Sequence, residues 1–204
     1  MYLISIHSIA MSLSNVIAQE LNFDNVKRAK ISYGLEVIIG AIIKFIVFII
    51  VFLGFGVLKQ SLIAMFTTVF MRYVSGGSHC KTFIGCLIFS NVIYISIGIL
   101  AKVIIINNYL FYILNIISFL IVLLKSPVDP PEKPIKTDQK RYVMKFISIL
   151  ILLLYIYISS LTTENDVKNS VALAMYFQVL TLTSWEKTFY KYINQLNLKA
   201  KEVN

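Results

Sequence analysis

One short segment contains most of the side chains that are able to do covalent chemistry. It runs Arg72-Tyr-Val-Ser-Gly76-Gly77-Ser-His79-Cys80-Lys-Thr-Phe-Ile-Gly-Cys86 and includes one of the two histidines and both cysteines of the chain. A cysteine with a nearby histidine is the minimal pair for a thiolate nucleophile, because the imidazole takes the thiol proton. We therefore treat residues 72–90 as a candidate catalytic block, with His79 and Cys86 as its reactive pair.

The remainder of the chain has the composition of a membrane protein. Of its 204 residues, 58% are apolar and only 14% are charged, and the mean hydropathy is +0.78. A soluble core of this size cannot bury so much apolar surface. The composition predicts an all-α integral membrane protein, a polytopic helical bundle that forms one membrane-embedded domain over residues 1–204. No nucleotide-binding loop is apparent, and no cofactor, metal or nucleic-acid partner is predicted.

Residues 1–30 have the spacing of an amphipathic helix. Their apolar side chains recur at helical intervals, while the polar side chains lie mostly elsewhere around the helix; the apolar positions are Ile9, Leu13, Val16, Ile17 and Leu21. Such a helix lies in the membrane interface with its apolar face in the lipid. The alternative is an ordinary surface helix that packs on the rest of the protein.

Six apolar runs follow, and the basic residues between them predict how the chain crosses the membrane. The runs are 37–58, 61–71, 83–106, 109–124, 142–161 and 171–183. About 20 helical residues span the hydrocarbon, a length that the first, third and fifth runs meet. Lys and Arg collect in alternate loops, as cytoplasmic loops do, which favours six crossings with both termini inside. A four-crossing arrangement, with re-entrant or interfacial segments, is the alternative; in both, the catalytic block faces the cytoplasm.

Three lysines are candidate contacts for an acidic substrate. Lys44 lies near the middle of the first run, where a charge is costly unless it snorkels, pairs or serves a function. Lys133 and Lys136 belong to the loop of residues 125–141, which contains all four prolines and is rich in basic residues. Proline makes this loop extended and stiff. Its charge suits either anionic lipid headgroups or an acidic peptide.

The spacing of His79 and Cys86 constrains the local structure. On one continuous helix, residues seven apart are separated by about 10 Å along the axis, whereas proton transfer needs heavy atoms about 3 Å apart. The helix must therefore break between them, or the pair must form between subunits. Gly76, Gly77 and Gly85 permit unusual backbone angles, and Thr82 is a suitable cap for a helix that begins just before Cys86. A helix N-terminus and nearby cations favour a thiolate.

Three other interpretations of the same residues remain open at this point. Cys86 and His79 are also the kind of residues that pack inside membrane helices without chemistry. A metal site of His79, Cys80 and Cys86 would have three ligands, two of them adjacent, which makes an awkward tetrahedral set. A transporter or substrate-binding membrane protein would use Lys44 and the glycine-rich segment to line a pathway.

The motifs together resemble the accessory gene regulator B (AgrB) family of membrane peptidases. The resemblance rests on Arg72-x3-Gly76-Gly77-x-His79-x6-Cys86-x3-Ser90 and on the loop Pro127-Val-Asp-Pro-Pro-Glu-Lys-Pro-Ile135, and it extends over essentially the whole chain. It implies a cysteine endopeptidase of the cell membrane that processes an AgrD-like pheromone precursor for quorum sensing. By motif, His79 and Cys86 are the catalytic pair, and Arg72, Gly76, Gly77 and Ser90 are supporting residues.

The same resemblance implies a mechanism and partners. Cys86 would attack the precursor, release its C-terminal tail and hold the remaining peptide as a thioester, which an internal Cys or Ser then converts to a thiolactone or lactone. The expected partners are the precursor peptide and membrane lipid, and a homodimer is implied only by analogy with the family. Cys80 has no matching role and is interpreted as a bystander. No Asp or Asn in the block obviously orients His79, so a third catalytic residue is not assigned.

Overall fold

A computed structural model describes residues 6–77, 82–104, 106–128, 135 and 137–183. Within these ranges the regular structure is helical, apart from one isolated parallel bridge between Gly76 and Val128. This confirms the prediction of an all-α fold for the described part of the chain. The helices are α1 (Ile6–Glu20), α2 (Asn25–Gly54), α3 (Leu58–Ser75), α4 (Phe83–Val103), α5 (Asn108–Lys125), α6 (Asp138–Leu161) and α7 (Asn165–Leu180).

Each predicted apolar run lies mainly within one helix, but the helices differ in their suitability to span a membrane. Among the described residues, α2, α4 and α6 are long and apolar enough to cross a bilayer. The apolar part of α5 is shorter, and α3 and α7 have 18 and 16 residues. The chain is therefore a helical membrane protein with three clear candidate spans. The count of six crossings stays a prediction, as does the four-crossing alternative.

The amphipathic segment predicted over residues 1–30 is not one helix. Helix α1 ends at Glu20, and α2 begins at Asn25 after a short turn. The Asp24 carboxylate accepts a hydrogen bond of 3.1 Å from the backbone N–H of Lys27, which satisfies one of the free donors at the start of α2. Residues 25–30 thus belong to the long apolar helix that follows. The boundary in the prediction was wrong because this cap was overlooked.

The chain divides into two compact units, residues 1–51 and residues 52–204. The first unit contains α1 and most of α2. Within it, His7 Nδ1 lies 3.1 Å from Glu36 Oε2, and Arg28 Nη1 donates a hydrogen bond of 3.4 Å to Asn15 Oδ1. These polar contacts therefore join α1 to the beginning of α2.

Helix α7 is the centre of the second unit and contacts α3, α4, α5 and α6. Its buried side chains include the polar Asn169, Ser170 and Gln178. Polar groups inside a membrane protein must find protein partners because lipid offers none. The short length and lower hydropathy of α7 follow from this position, since protein rather than lipid covers it. One apolar core cluster beside it consists of Met71, Val122, Leu152, Met175, Val179 and Leu182.

Polar contacts fix the directions of the helices around α7. Gln60 and Asp166 join the beginnings of α3 and α7, while Ser75 and Gln178 join their ends, so these two helices are parallel. Asn169 donates hydrogen bonds to two carbonyls at the end of α4, which makes α4 antiparallel to both. We call one end of this unit the Cys86 end (72–77, 82–90, 126–128 and Gln178) and the other the Lys59 end (59–60, 101–104 and 164–169).

Candidate functional site

The end of α3 makes a close backbone contact with the beginning of the proline-rich loop. The Gly76 N–H donates to Arg72 O at 3.0 Å, which completes the last turn of α3, and the Val128 N–H donates to Ser75 O at 2.9 Å. Gly76 has φ +78°, and a Cβ at this position would lie 2.0 Å from Val128 O. Only glycine fits both the backbone angle and this close approach. The contact joins the two motifs on which the family resemblance rests.

Gly77 has a different neighbour, the side chain of Arg72. Its φ is +126°, and a Cβ there would lie 3.4 Å from both Cζ and Nη2 of Arg72. A Cβ at Gly77 would be in ordinary van der Waals contact with the guanidinium, so the backbone angle rather than lack of space favours glycine there. The two adjacent glycines thus differ, because Gly76 admits the Val128 backbone whereas Gly77 supplies a positive φ.

Gln178 completes this cluster from the end of α7. Its side chain is fully buried, with 0% exposure. Nε2 donates to Ser75 Oγ at 3.3 Å and to Gly76 O at 3.2 Å, and Oε1 accepts a hydrogen bond of 3.4 Å from Arg72 Nη1. No motif in the sequence indicates Gln178 as a site residue. The signal that could have found it is an amide within the apolar run 171–183, which requires polar partners from elsewhere in the fold.

The beginning of α4 has the capped geometry that was predicted for it. Thr82 is the N-cap residue, and its Oγ1 accepts a hydrogen bond of 3.2 Å from the Gly85 N–H. The Cys86 N–H donates to Thr82 O at 3.0 Å. Cys86 is therefore the fourth residue of the helix, and its free thiol is partly exposed. This confirms the predicted cap and places Cys86 about one turn from the positive end of the helix dipole.

Cys86, Ser90 and Tyr94 follow one another at intervals of four residues and share a face of α4. Tyr94 is buried, and its ring packs edge-to-face on Phe52 with 6.4 Å between the centroids. Ser90 is half-buried between the other two residues. Cys86 and Ser90 thus lie on the face of α4 that also carries this buried tyrosine.

The remaining predicted site residues stay predictions. His79 and Cys80 lie outside the described residues, as do Lys133 and Lys136. Lys44 is partly buried midway along α2, in the first unit, and its role in substrate binding stays a prediction. The hypothetical metal site also depends on His79 and Cys80. In the ranges that the structure describes, no group of three or more His, Cys, Asp or Glu residues could hold a metal ion.

Comparison with known proteins adds independent information about this arrangement. The family model described as Accessory gene regulator B matches residues 10–182. A putative AgrB-like protein of Clostridium perfringens is 30% identical over 204 residues, which cover 96% of this chain and 95% of that protein. A putative AgrB-like protein of Clostridium acetobutylicum is 25% identical over 86% of each chain.

A more distant relative has a more specific name. The accessory gene regulator protein B of Staphylococcus aureus is 25% identical over 140 residues, which cover 67% of this chain and 75% of that protein. No solved structure matches the chain. The family match includes α3, α4 and α7 and therefore every helix that contributes to the Cys86 end. The chain belongs to the accessory gene regulator B family, which takes part in accessory gene regulation and quorum sensing.

Proposed function

We propose that this protein is a multi-pass cysteine endopeptidase of the cell membrane that removes the C-terminal tail of an AgrD-like pheromone precursor. The main support is the position of Cys86 at the capped start of α4, at the same end as the Arg72–Gly77 turn and the beginning of the proline-rich loop. Membership of the accessory gene regulator B family supports the assignment to quorum sensing. Under this proposal, all the motifs that carry the resemblance serve one reaction.

Cys86 is the proposed nucleophile, and His79 is the proposed base. Cys86 is partly exposed and free, so a substrate carbonyl is able to approach the sulfur. The N-terminus of α4 and the Arg72 guanidinium both provide positive potential at the Cys86 end, which favours a thiolate. His79 precedes α4 by only four residues. This short connection allows it to fold back toward the first turn of the helix, as the sequence analysis requires.

The cleavage step transfers the peptide from nitrogen to sulfur. His79 takes the thiol proton, and the Cys86 thiolate attacks the carbonyl carbon at the end of the future signal peptide. As the tetrahedral intermediate collapses, the C–N bond breaks and the imidazolium returns its proton to the leaving amine. The tail departs with a free amino terminus, and the signal peptide remains on Cys86 as a thioester.

The second step forms the ring and frees the enzyme. A thiol or hydroxyl within the bound peptide loses its proton to His79 and attacks the thioester carbonyl. The bond to Cys86 breaks, and its sulfur recovers the proton as the thiolactone or lactone leaves. Hydrolysis competes with this step, so a site with little water and a peptide held near its reactive shape favours the ring.

The distribution of charge supports an acidic substrate on the cytoplasmic side. The net charge is +9, and the proline-rich loop adjoins the cluster because Val128 is bonded to Ser75. Lys133 and Lys136 of that loop would attract an acidic tail or anionic lipid. Lys and Arg collect in this loop and in the Arg72–Cys86 block, as they do in cytoplasmic segments of membrane proteins. We therefore place the active site at the cytoplasmic face.

Mutation of the two cysteines tests the proposed nucleophile. The protein is reconstituted with a synthetic AgrD-like precursor that has an acidic C-terminal tail, and the products are identified by mass spectrometry. Cys86→Ala and Cys86→Ser should stop tail release, because neither residue forms a thiolate. Cys80→Ala should cleave at about the rate of the parent. The parent should also yield a peptide adduct on Cys86 that hydroxylamine removes, as expected of a thioester.

The thermal unfolding midpoint of each variant, measured in detergent, separates loss of chemistry from loss of folding. Retention of parental tail release in Cys86→Ala would show that another group is the nucleophile. Loss of tail release in Cys80→Ala, with an unchanged unfolding midpoint, would assign the nucleophile to Cys80 instead. Failure of the folded parent to cleave any precursor, together with transport of an unmodified solute, would support the transporter alternative.

A further inference from the structure

We propose that Gln178 is a positioning residue of the peptidase site, and this inference rests on the function proposed above. A single buried amide at the end of α7 contacts three neighbours at the end of α3. It donates to the hydroxyl of Ser75 and to the carbonyl of Gly76, and it accepts from the guanidinium of Arg72. In this position Gln178 fixes both the backbone turn after α3 and the direction of the Arg72 side chain.

The side-chain amide of Gln178 forms hydrogen bonds to the turn after α3 that an apolar residue cannot form. The carbonyl of Gly76 points to α7 rather than to a partner in α3, because the helix ends there and Gly76 turns to φ +78°. A buried carbonyl without a partner is costly. Gln178 Nε2 satisfies it at 3.2 Å. The turn that receives Val128 is therefore stable only while the amide is present.

Gln178 also restricts the positively charged side chain of Arg72. Arg72 has a long side chain with many rotamers, which an unconstrained position would allow it to use. The hydrogen bond to Gln178 Oε1 limits this freedom. The guanidinium is thereby held at the end of the unit where α4 begins with Cys86 in its first turn. The amide thus acts on the reaction through Arg72 and the glycine turn.

A second buried amide in α7 provides a matched control for the structural contribution alone. Asn169 is 3% exposed, and its Nδ2 donates to Ala101 O at 3.1 Å and to Ile104 O at 2.6 Å. It lies at the Lys59 end, about 13 Å from Gln178 along the axis of α7. Removal of Asn169 leaves two carbonyls without this donor, and removal of Gln178 leaves one carbonyl and one hydroxyl without theirs. Only Gln178 lies at the Cys86 end.

The experiment compares Gln178→Met, Gln178→Glu and Asn169→Leu with the parent and with Cys86→Ala. The probe is the synthetic AgrD-like precursor, and single-turnover tail release and the unfolding midpoint are measured for each variant. Loss of buried hydrogen bonds to the site should slow Gln178→Met by about 10-fold or more. Asn169→Leu should unfold at a similarly lowered temperature but slow by less than about threefold. Gln178→Glu should be intermediate, since it keeps the acceptor for Arg72.

Coupling to Arg72 distinguishes positioning from general support of the fold. Arg72→Met combined with Gln178→Met should be little slower than the worse single variant, because both changes remove the same interaction. The inference is overturned if Gln178→Met releases the tail at the parental rate, or if both α7 variants lose activity in proportion to stability. It is also overturned if the Arg72 and Gln178 effects multiply. Activity in Cys86→Ala would instead refute the proposed function, whatever Gln178 does.

Discussion

The two ends of the α3 and α7 pair are held together by different kinds of contact. At the Lys59 end, Lys59 pairs with Glu164 and Gln60 donates to Asp166 at 2.6 Å. The side chains of Lys59 and Glu164 are 55% and 58% exposed. At the Cys86 end, the contacts are neutral or involve one partly buried guanidinium, and the Gln178 side chain is fully buried. The charged pair at the Lys59 end is therefore accessible to solvent, whereas the amide of Gln178 at the Cys86 end is not.

This difference determines which end is sensitive to a change in sequence. Exposed charged pairs are screened by water and salt, and either partner is readily hydrated when the other is lost. A buried amide or carbonyl has no such alternative, so its loss costs the full desolvation of the group left behind. Substitutions at the Cys86 end should therefore have large effects on geometry. Substitutions at the Lys59 end should have small effects on stability alone.

The largest effect is expected for Gly76→Ala. The new Cβ would lie 2.0 Å from Val128 O, so the loop backbone would have to move by more than about 1 Å to restore van der Waals contact. Residues other than glycine are also strained at φ +78°. A displacement of this size near a reacting group is able to reduce rates by about 100-fold. Tail release from the AgrD-like precursor and the unfolding midpoint should both fall markedly.

Gly54→Ala is the matched control for this substitution. Gly54 is the last residue of α2, and a Cβ there would meet nothing within 4 Å. Alanine should be tolerated, with tail release and unfolding close to those of the parent. If Gly76→Ala also behaves like the parent, then the close Gly76–Val128 contact is not needed for tail release. The prediction that substitutions at the Cys86 end have the larger effects would then be wrong.

A moderate effect is expected for Thr82→Ala. The substitution removes the hydroxyl that accepts the Gly85 N–H, and loss of such a cap costs about 1 kcal/mol. In a chain of this size, that corresponds to a fall of about 2–4 °C in the unfolding midpoint. Because Cys86 lies in the first turn of the same helix, fraying would also move the nucleophile. Tail release should slow several-fold, while Thr82→Ser, which keeps the acceptor, should retain the parental rate.

Another helix cap, at the N-terminus of α5, provides the control. Asn107 caps α5, and its Oδ1 accepts a hydrogen bond of 2.8 Å from the Leu110 N–H. Asn107→Ala should lower the unfolding midpoint about as much as Thr82→Ala, but it should leave tail release unchanged once the sample is folded. Equal slowing of tail release by both variants would mean that caps support only global stability, and the special position of the α4 start would be refuted.

Local patterns in the sequence account for much of the architecture. The apolar runs located α4 to within a few residues, and the type of residue at Thr82 predicted the cap and the beginning of the helix before Cys86. These features depend on neighbours in sequence. The turn between α1 and α2 was missed because the Asp24 cap interrupts a pattern that otherwise continues over residues 1–30.

Contacts between distant segments could not be predicted in the same way. The sequence offered Gly76 and the proline-rich loop as separate motifs, but the bond between Ser75 and Val128 depends on how α3 and α5 end in the fold. Gln178 is more than 100 residues from Arg72, and a single amide in an apolar run indicates that a partner exists without naming it. Only the packing of α7 among four helices identifies that partner.

The smallest effect on the unfolding midpoint is expected for the exposed pair at the Lys59 end, where substitutions can be compared at several pH values. The hydrogen bond from Gln60 is the main cause that lowers the pKa of Asp166 below its ordinary value. The hydrogen bond to Glu164 is the main cause that raises the pKa of Lys59. The Asp166 contribution is thus complete above about pH 4 and is lost as pH falls further. The Lys59 contribution is complete below about pH 10 and is lost as pH rises further.

Lys59→Met should lower the unfolding midpoint by less than about 2 °C at pH 7, since an exposed pair contributes little. Gln60→Leu should lower it by about 2–4 °C, because Gln60 itself is buried and its hydrogen bond to Asp166 contributes about 1 kcal/mol. The deficit of Gln60→Leu should be constant from pH 9 to about pH 5 and should shrink below about pH 4, where Asp166 becomes protonated in the parent as well. The deficit of Lys59→Met should shrink above about pH 10. Unfolding curves in detergent over this range provide the measurement. A deficit of Lys59→Met as large as that of Gln178→Met would show that both ends are equally important, because a screened pair would then stabilise the fold as much as a buried amide does.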